Sequence, residues 1–322
     1  MANSPTAENH PRSLALAGGV GGAKLAAGLQ AALAPEDLTV VVNTADDFRL
    51  WGLHISPDMD TVMYTLAGIA NQETGWGIQG ESFDALTMLG DYGEDTWFKL
   101  GDRDIATHLL RTERLGNGES LTEITASLAS SLGVRTSLMP MCDEPVSTIL
   151  HTPDGVVAFQ DYFVRRAQAD EVLGIELNGI REAQVSRAVS EAVRNVDVIV
   201  ICPSNPVVSI GPILAVPGMT EALTAATAPK VAVSPIVGGR ALKGPADQMM
   251  QSLGHEVSAT GVARVYDGLV DGMIVDRADA SEQYGIERLG MEVLATDTVM
   301  KNQTDRARLA REVLEFGRRL AA

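Results

Sequence analysis

Residues 13–17 form a short run with no charged side chain that passes directly into Gly18-Gly19-Val20-Gly21-Gly22, and residues 23–33 continue as an alanine- and leucine-rich stretch. A run that is apolar on both faces suits a strand covered on both sides, and a loop without side chains lets the chain turn tightly into a helix. The same grammar recurs. Residues 38–42 end in Asn43-Thr44-Ala45-Asp46-Asp47, residues 196–202 stop at Pro203-Ser204-Asn205-Pro206, and residues 230–233 stop at Ser234-Pro235. The fold class that follows is α/β, a Rossmann-like, mostly parallel sheet with helices on both faces. Ligands of such sheets collect at the carboxyl ends of the strands, where these glycine-rich and polar loops sit.

Between residues 61 and 195 the texture changes. Residues 105–114 and 121–132 read as helices, whereas 146–152 and 156–163 flank Pro153-Asp154-Gly155, a hairpin signal. We read about 61–195 as an inserted smaller α+β lid region within one domain spanning 13–322. Residues 282–294 read as a helix and strand on the sheet, and 304–321 as an amphipathic terminal helix. Residues 1–12, polar and containing Pro5 and Pro11, are expected to be a disordered tail.

The net charge of -17 opposes a phosphate backbone and leaves no basic stripe for anionic lipid, so the expected partners are small molecules, with no nucleic acid and no membrane. No apolar run approaches the roughly 20 residues that cross a bilayer. Cys142 and Cys202 form no metal-type spacing and read as buried thiols of a reduced, cytoplasmic compartment. A homodimer is the default assembly.

In so acidic a chain, phosphate must be handled locally, by backbone amides and metal. The first glycine loop offers amides and a helix N-terminus, which makes Gly19, Gly21, Gly22 and Lys24 candidates for a nucleotide's phosphates; a ligand-free turn is the alternative. Aligning Gly19 and Gly21 with a dinucleotide fingerprint puts Lys24 where close packing wants glycine, which argues against an NAD-dependent oxidoreductase. Ser204 and Asn205 can read a base or ribose edge. Ser234, Gly238 and Gly239 belong to a second glycine turn, with Arg240 and Lys243 placed to meet phosphate, and two such loops suggest a diphosphate. For either loop, ordinary turn chemistry is the alternative.

Asp46, Asp47, Asp58 and Asp60 crowd one strand end and repel one another unless a cation such as Mg2+ lies between them. Capping of the helix that starts near Thr61 is the alternative for Asp58 and Asp60. Lys99 and Arg103, in Lys99-Leu100-Gly101-Asp102-Arg103-Asp104, suit an anionic or carbonyl-bearing ligand, or else form a surface ion-pair cluster. His108 alone reads as structural, and the five histidines show no zinc spacing. No nucleophile motif stands out, which favours direct displacement.

Gly18-Gly19-Val20-Gly21-Gly22-Ala23-Lys24, the Asn43–Asp47 block, His54-Ile55-Ser56-Pro57-Asp58-Met59-Asp60-Thr61, the Lys99–His108 block, Pro203-Ser204-Asn205-Pro206 and Ser234-Pro235-Ile236-Val237 together resemble the 2-phospho-L-lactate transferase family of coenzyme F420 biosynthesis. The resemblance implies transfer of a 2-phospholactyl, phosphoenolpyruvyl or related group from its guanosine diphosphate conjugate to the deazaflavin Fo, with release of GMP. It implies Mg2+ at Asp46 and Asp60, the two acids given the catalytic role. It places Asp60 and Lys99, with Arg103 beside them, on the acceptor side, and the glycine and Ser-Pro loops on the guanylyl side. The alternative family is the gluconeogenesis-factor type, regulatory proteins that bind nucleotide sugars without turnover.

Overall fold

Seven short apolar runs become seven parallel strands. The structure, a computed structural model, describes residues 11–322. The strands are β1 (Ser13–Ala17), β2 (Leu38–Val42), β3 (Ser137–Pro140), β4 (Val198–Ile201), β5 (Lys230–Val233), β6 (Gly272–Asp276) and β7 (Glu292–Thr296), and they lie in the order β7-β6-β5-β4-β1-β2-β3. Every pairing is parallel. This is the doubly wound order, in which the winding reverses between β1 and β4 and leaves a crevice at their carboxyl ends.

The reason for the unbroken apolar runs is visible in β1. Ala15 and Ala17 face one layer, built from Leu25 and Leu29 of the helix Gly19–Ala32 and Leu309 and Val313 of the terminal helix Gln303–Leu320. Leu14 and Leu16 face the other, with Val189, Ile213 and Val262 from three further helices. Each fully buried aliphatic side chain contributes about 1.5–3 kcal/mol relative to exposure, and both faces contribute.

The segment 61–195 is not wholly separate from this sheet, because its strand β3 pairs with β2 and forms one edge. The rest supplies helices Asp102–Gly116 and Leu121–Ser131 and a three-stranded antiparallel sheet of Gly155–Ala158, Ser147–Thr152 and Gly174–Asn178. Of the tail expected over 1–12, residues 1–10 lie outside the described residues. Pro11 is buried and the Arg12 amide donates to the Asp197 carboxylate at 2.8 Å, so the fixed chain begins before residue 13. Both cysteines are buried free thiols. Among the described residues no single helix is long and apolar enough to cross a membrane.

Candidate functional site

Two loops flank the crevice, the glycine turn after β1 and Pro203-Ser204-Asn205 after β4, and they touch so closely that side chains are excluded. A Cβ at Gly18 would fall 2.5 Å from Asp58 Oδ2, one at Gly21 would fall 2.1 Å from the Pro203 carbonyl oxygen, and one at Gly22 would fall 2.4 Å from Ser204 Oγ. Gly22 would also meet Ala17 Cβ at 3.1 Å. The close helix-on-strand packing that a dinucleotide fingerprint assigns to its third glycine is therefore done here by Gly22, which frees Lys24 to line the cavity. Gly21→Ala is expected to destabilise the fold by about 1–3 kcal/mol, since the obstacle is backbone that cannot swing away; thermal melting checks this.

Behind the loops lies a cavity of about 660 Å³. Its lining brings together Gly19, Gly21, Lys24, Asp46, Asp60, Lys99, Ser204, Asn205 and Ser234, all expected from the sequence. Three expected residues are not brought to it, together with the packed Gly22. Gly238 and Gly239 lie off to the side, and the Gly238 amide donates to the Asp279 carboxylate at 2.9 Å rather than facing the cavity. Arg103 turns its guanidinium to the Gln79 carbonyl at 3.0 Å, drawn there by the loop over which its helix begins.

Several polar side chains on the wall serve the loops themselves. Ser204 Oγ accepts from the Gly18 amide at 3.0 Å and donates to the Gly18 carbonyl at 2.8 Å, stitching the two loops together. Asn205 Oδ1 accepts from the Val207 and Val208 amides, and Ser234 Oγ accepts from the Ile236 amide. In the Lys99–Asp104 block the surface ion pairs weighed from the sequence do not form among the described residues. Asp102 instead accepts from Ser82 Oγ and from the Asp84 and Ala85 amides, which pins the start of helix Asp84–Asp91.

The four acids divide into three environments. Asp47 is held by His54 Nε2 at 2.8 Å and Ser56 Oγ at 2.7 Å. Asp60, on the helix Pro57–Leu66, makes a two-point ion pair with Arg111, which is fully buried on helix Asp102–Gly116. His108 Nδ1 lies 3.7 Å from Asp60 Oδ2, while His108 Nε2 lies 3.3 Å from Asp104 Oδ1. Tyr64 donates to the same Asp104 oxygen at 2.6 Å. Asp58 does not cap its own helix. It reaches across to accept from Asn43 Nδ2 at 3.0 Å and Ser209 Oγ at 3.2 Å.

Asp46 and Asp58 remain, buried and without an ion pair among the described residues. Burial, and then the neighbouring Asp58 charge, hold the Asp46 carboxyl well above the usual range. Burial pushes Asp58 up to about 6 despite its hydrogen bonds. Two adjacent buried carboxylates whose ionised forms are penalised are a donor set suited to a hard divalent cation. Asp60 differs because Arg111 already balances it.

Sequence reading missed two features. Trp76, Trp97, Phe98, Phe159 and Phe163 line the cavity, and Trp97 and Phe98 stack edge-on with centroids 5.5 Å apart. Arg111 was also missed, although Asp104, His108 and Arg111 follow i, i+4, i+7 spacing, a polar stripe on one helix face.

The chain matches the family model described as 2-phospho-L-lactate transferase CofD over residues 14–314. It is 42% identical over 301 residues to a 2-phospho-L-lactate transferase of Methanosarcina acetivorans, covering 94% of this chain and 96% of that one. It is 43% identical over 317 residues to a phosphoenolpyruvate transferase of Streptomyces griseus, covering 97% and 100%. A solved structure of a UPF0052 family member from Bacillus halodurans superimposes with a TM-score of 0.65 at 17% identity, covering 95% of this chain and 99% of that one, a likeness of fold alone.

Proposed function

The chain belongs to the 2-phospho-L-lactate transferase CofD family and is a transferase, and from that premise we propose that it moves a 2-phospholactyl, phosphoenolpyruvyl or related group from its guanosine diphosphate conjugate to the deazaflavin Fo, releasing GMP, in coenzyme F420 biosynthesis. The observation that carries this reading is the single cavity that joins the glycine loop, the acids Asp46, Asp58 and Asp60, Lys99 and a set of aromatic side chains at the switch point of the sheet. The regulatory alternative of the gluconeogenesis-factor type has no use for that convergence.

In this reading the guanylyl diphosphate lies along the backbone of the Gly19–Gly21 and Ser204–Asn205 loops, and the planar deazaflavin lies among the aromatic walls with Lys99 at its edge. The terminal ribityl oxygen of Fo forms a bond to the phosphorus nearest the small acid. The bond from that phosphorus to the bridging oxygen breaks, and its electron pair leaves with GMP. Mg2+, when bound, neutralises charge developing on the phosphate oxygens. Asp46 and Asp58 would hold it, a choice that replaces the Asp46–Asp60 pairing expected from sequence because Asp60 already has Arg111. Asp60 then orients the acceptor hydroxyl. A displacement with a good leaving group needs little base help, so the hydroxyl proton passes to solvent as the bond forms.

Turnover is therefore expected to require a divalent cation. Excess EDTA should abolish it and added Mg2+ restore it; undiminished turnover in EDTA would refute the assignment of the acid pair.

A further inference from the structure

Three cations converge beside the cavity in a chain whose net charge is -17. Lys24 comes from the helix Gly19–Ala32, Lys243 from the loop before helix Ala246–Ser252, and Arg306 from the first turn of the terminal helix. Val20, Lys24 and Lys243 belong both to the cavity wall and to an adjoining recess of about 20 Å³ that Arg306 and Gln72 also line. Arg306 is 9% exposed. Its Nη2 donates to Gln72 Oε1 at 3.1 Å, and its buried Nε has no partner. Lys243 Nζ donates to the Thr74 carbonyl at 2.9 Å. None of the three forms an ion pair among the described residues, whereas Arg114, Arg165, Arg187, Arg264 and Arg308 all do. Burial, then Arg306 and Lys243, push the Lys24 ammonium below its usual value, so the cations disfavour one another as they stand. Arg306 is buried, Lys24 half-buried and Lys243 exposed; a buried charge without a counter-charge is costly, and a bound anion removes that cost.

We propose that Lys24, Lys243 and Arg306 form an oxyanion subsite, distinct from the acid pair at Asp46 and Asp58, that holds one charged end of the donor. The recess has room for a single oxygen-sized group, so the edge of a phosphate or carboxylate enters it while the rest of the donor stays in the cavity. That the anion is part of a guanylyl donor rests on the transferase reading. The subsite itself does not.

The first arm uses inorganic pyrophosphate alone, in EDTA and at fixed ionic strength, titrated while melting temperature is followed. The wild type should be stabilised, and Arg306→Met or Lys243→Met should weaken that binding about tenfold or more, the loss of one charge-assisted contact. Without anion, Arg306→Met should melt no lower than the wild type, since one of three like charges is gone. If Arg306→Met fails to fold, Lys243→Met, exposed on its loop, carries the comparison. No pyrophosphate effect in the wild type, or equal binding by wild type and variants, overturns the subsite. The second arm compares GMP, GDP and the phosphoenolpyruvyl guanylyl conjugate by calorimetry. Weakening of GDP and conjugate alike assigns the anion to the terminal phosphate, weakening of the conjugate alone assigns it to the carboxylate, and weakening of neither overturns the subsite's place in donor binding. A wild type that responds to pyrophosphate but binds no guanylyl ligand would overturn the transferase reading and leave the subsite standing.

Discussion

Asp60→Asn is expected to lower the stability of the fold by about 3 kcal/mol, because it removes one partner of a buried ion pair and leaves the fully buried Arg111 guanidinium without its hydrogen-bonded counter-charge. Turnover should fall about 10²-fold or more at temperatures where the variant stays folded, the usual cost of losing a positioned polar group at the reacting centre. From sequence the same substitution looks nearly neutral for stability, since asparagine keeps a capping oxygen. The structure changes that expectation, because both Asp60 oxygens accept from Arg111 and neither serves as a cap. Replacing both partners with apolar residues of similar volume, Asp60→Leu with Arg111→Met, should recover most of the stability and none of the turnover. Chemical denaturation of the two variants checks the first part, and an assay of the double variant separates stability from function. A single variant as stable as the wild type would remove the ion pair from the account.

Asp46→Asn should behave in the opposite sense. Turnover should fall by about 10²–10³-fold if Asp46 holds the cation that offsets phosphate charge, while the metal-free protein should become no less stable, since one of two neighbouring buried carboxylates no longer ionises. The sign of the pH dependence follows from Asp58, whose folded value of about 6 lies above the ordinary aspartate value of 3.8. Below the lower value both folded and unfolded chains carry the proton and no penalty arises. As pH rises through the interval up to about 6 the folded state must give up a proton it holds more tightly, and by neutral pH the contribution of Asp58 to stability is lower by on the order of 3 kcal/mol. The metal-free wild type should thus melt higher near about pH 5 than near about pH 7.5. Mg2+ should raise the melting temperature strongly at the higher pH and weakly at the lower, where protons compete for the same oxygens. Asp46→Asn should weaken the Mg2+ response, while the pH dependence set by the burial of Asp58 should persist. Equal Mg2+ stabilisation at the two pH values would detach the metal from this pair.

How much of this was legible in the sequence differs by level. The runs at 13–17, 38–42, 198–201 and 230–233 have no polar face, and that property is what a two-sided parallel sheet demands, so fold class followed from pattern. β3 was harder to see. Ser137–Pro140 is short, ends in proline and lies in a stretch whose hairpin and helices point to a separate layer, yet it occupies an edge, where proline is tolerated because no further strand needs its N–H. At the site, the acids were visible as a cluster but not their partners. Arg111 lies 51 residues from Asp60, and no local spacing links them. That distant cation decides which acids lack an ion pair among the described residues, Asp46 and Asp58 rather than Asp60. Ser204 and Asn205, whose types suit a base edge, do line the cavity, and their side chains also hold the strand-end loops in shape. Gly238 and Gly239 do not line it, since a glycine turn beside a strand end can as well be closed by a carboxylate of the chain, here Asp279.

If one cavity joins a guanylyl phospho-acid to a deazaflavin, both products of the transfer should appear together. Mixing the purified protein with Fo, Mg2+ and each candidate conjugate, 2-phospholactyl and phosphoenolpyruvyl guanosine diphosphate in separate reactions, and following the products by mass spectrometry tests it most directly. GMP and a phosphodiester of Fo carrying the small acid are expected in equal amounts from at least one donor, with neither formed in EDTA. Binding of a conjugate with no Fo product from either donor, at saturating Mg2+ and with folded protein, would contradict that expectation.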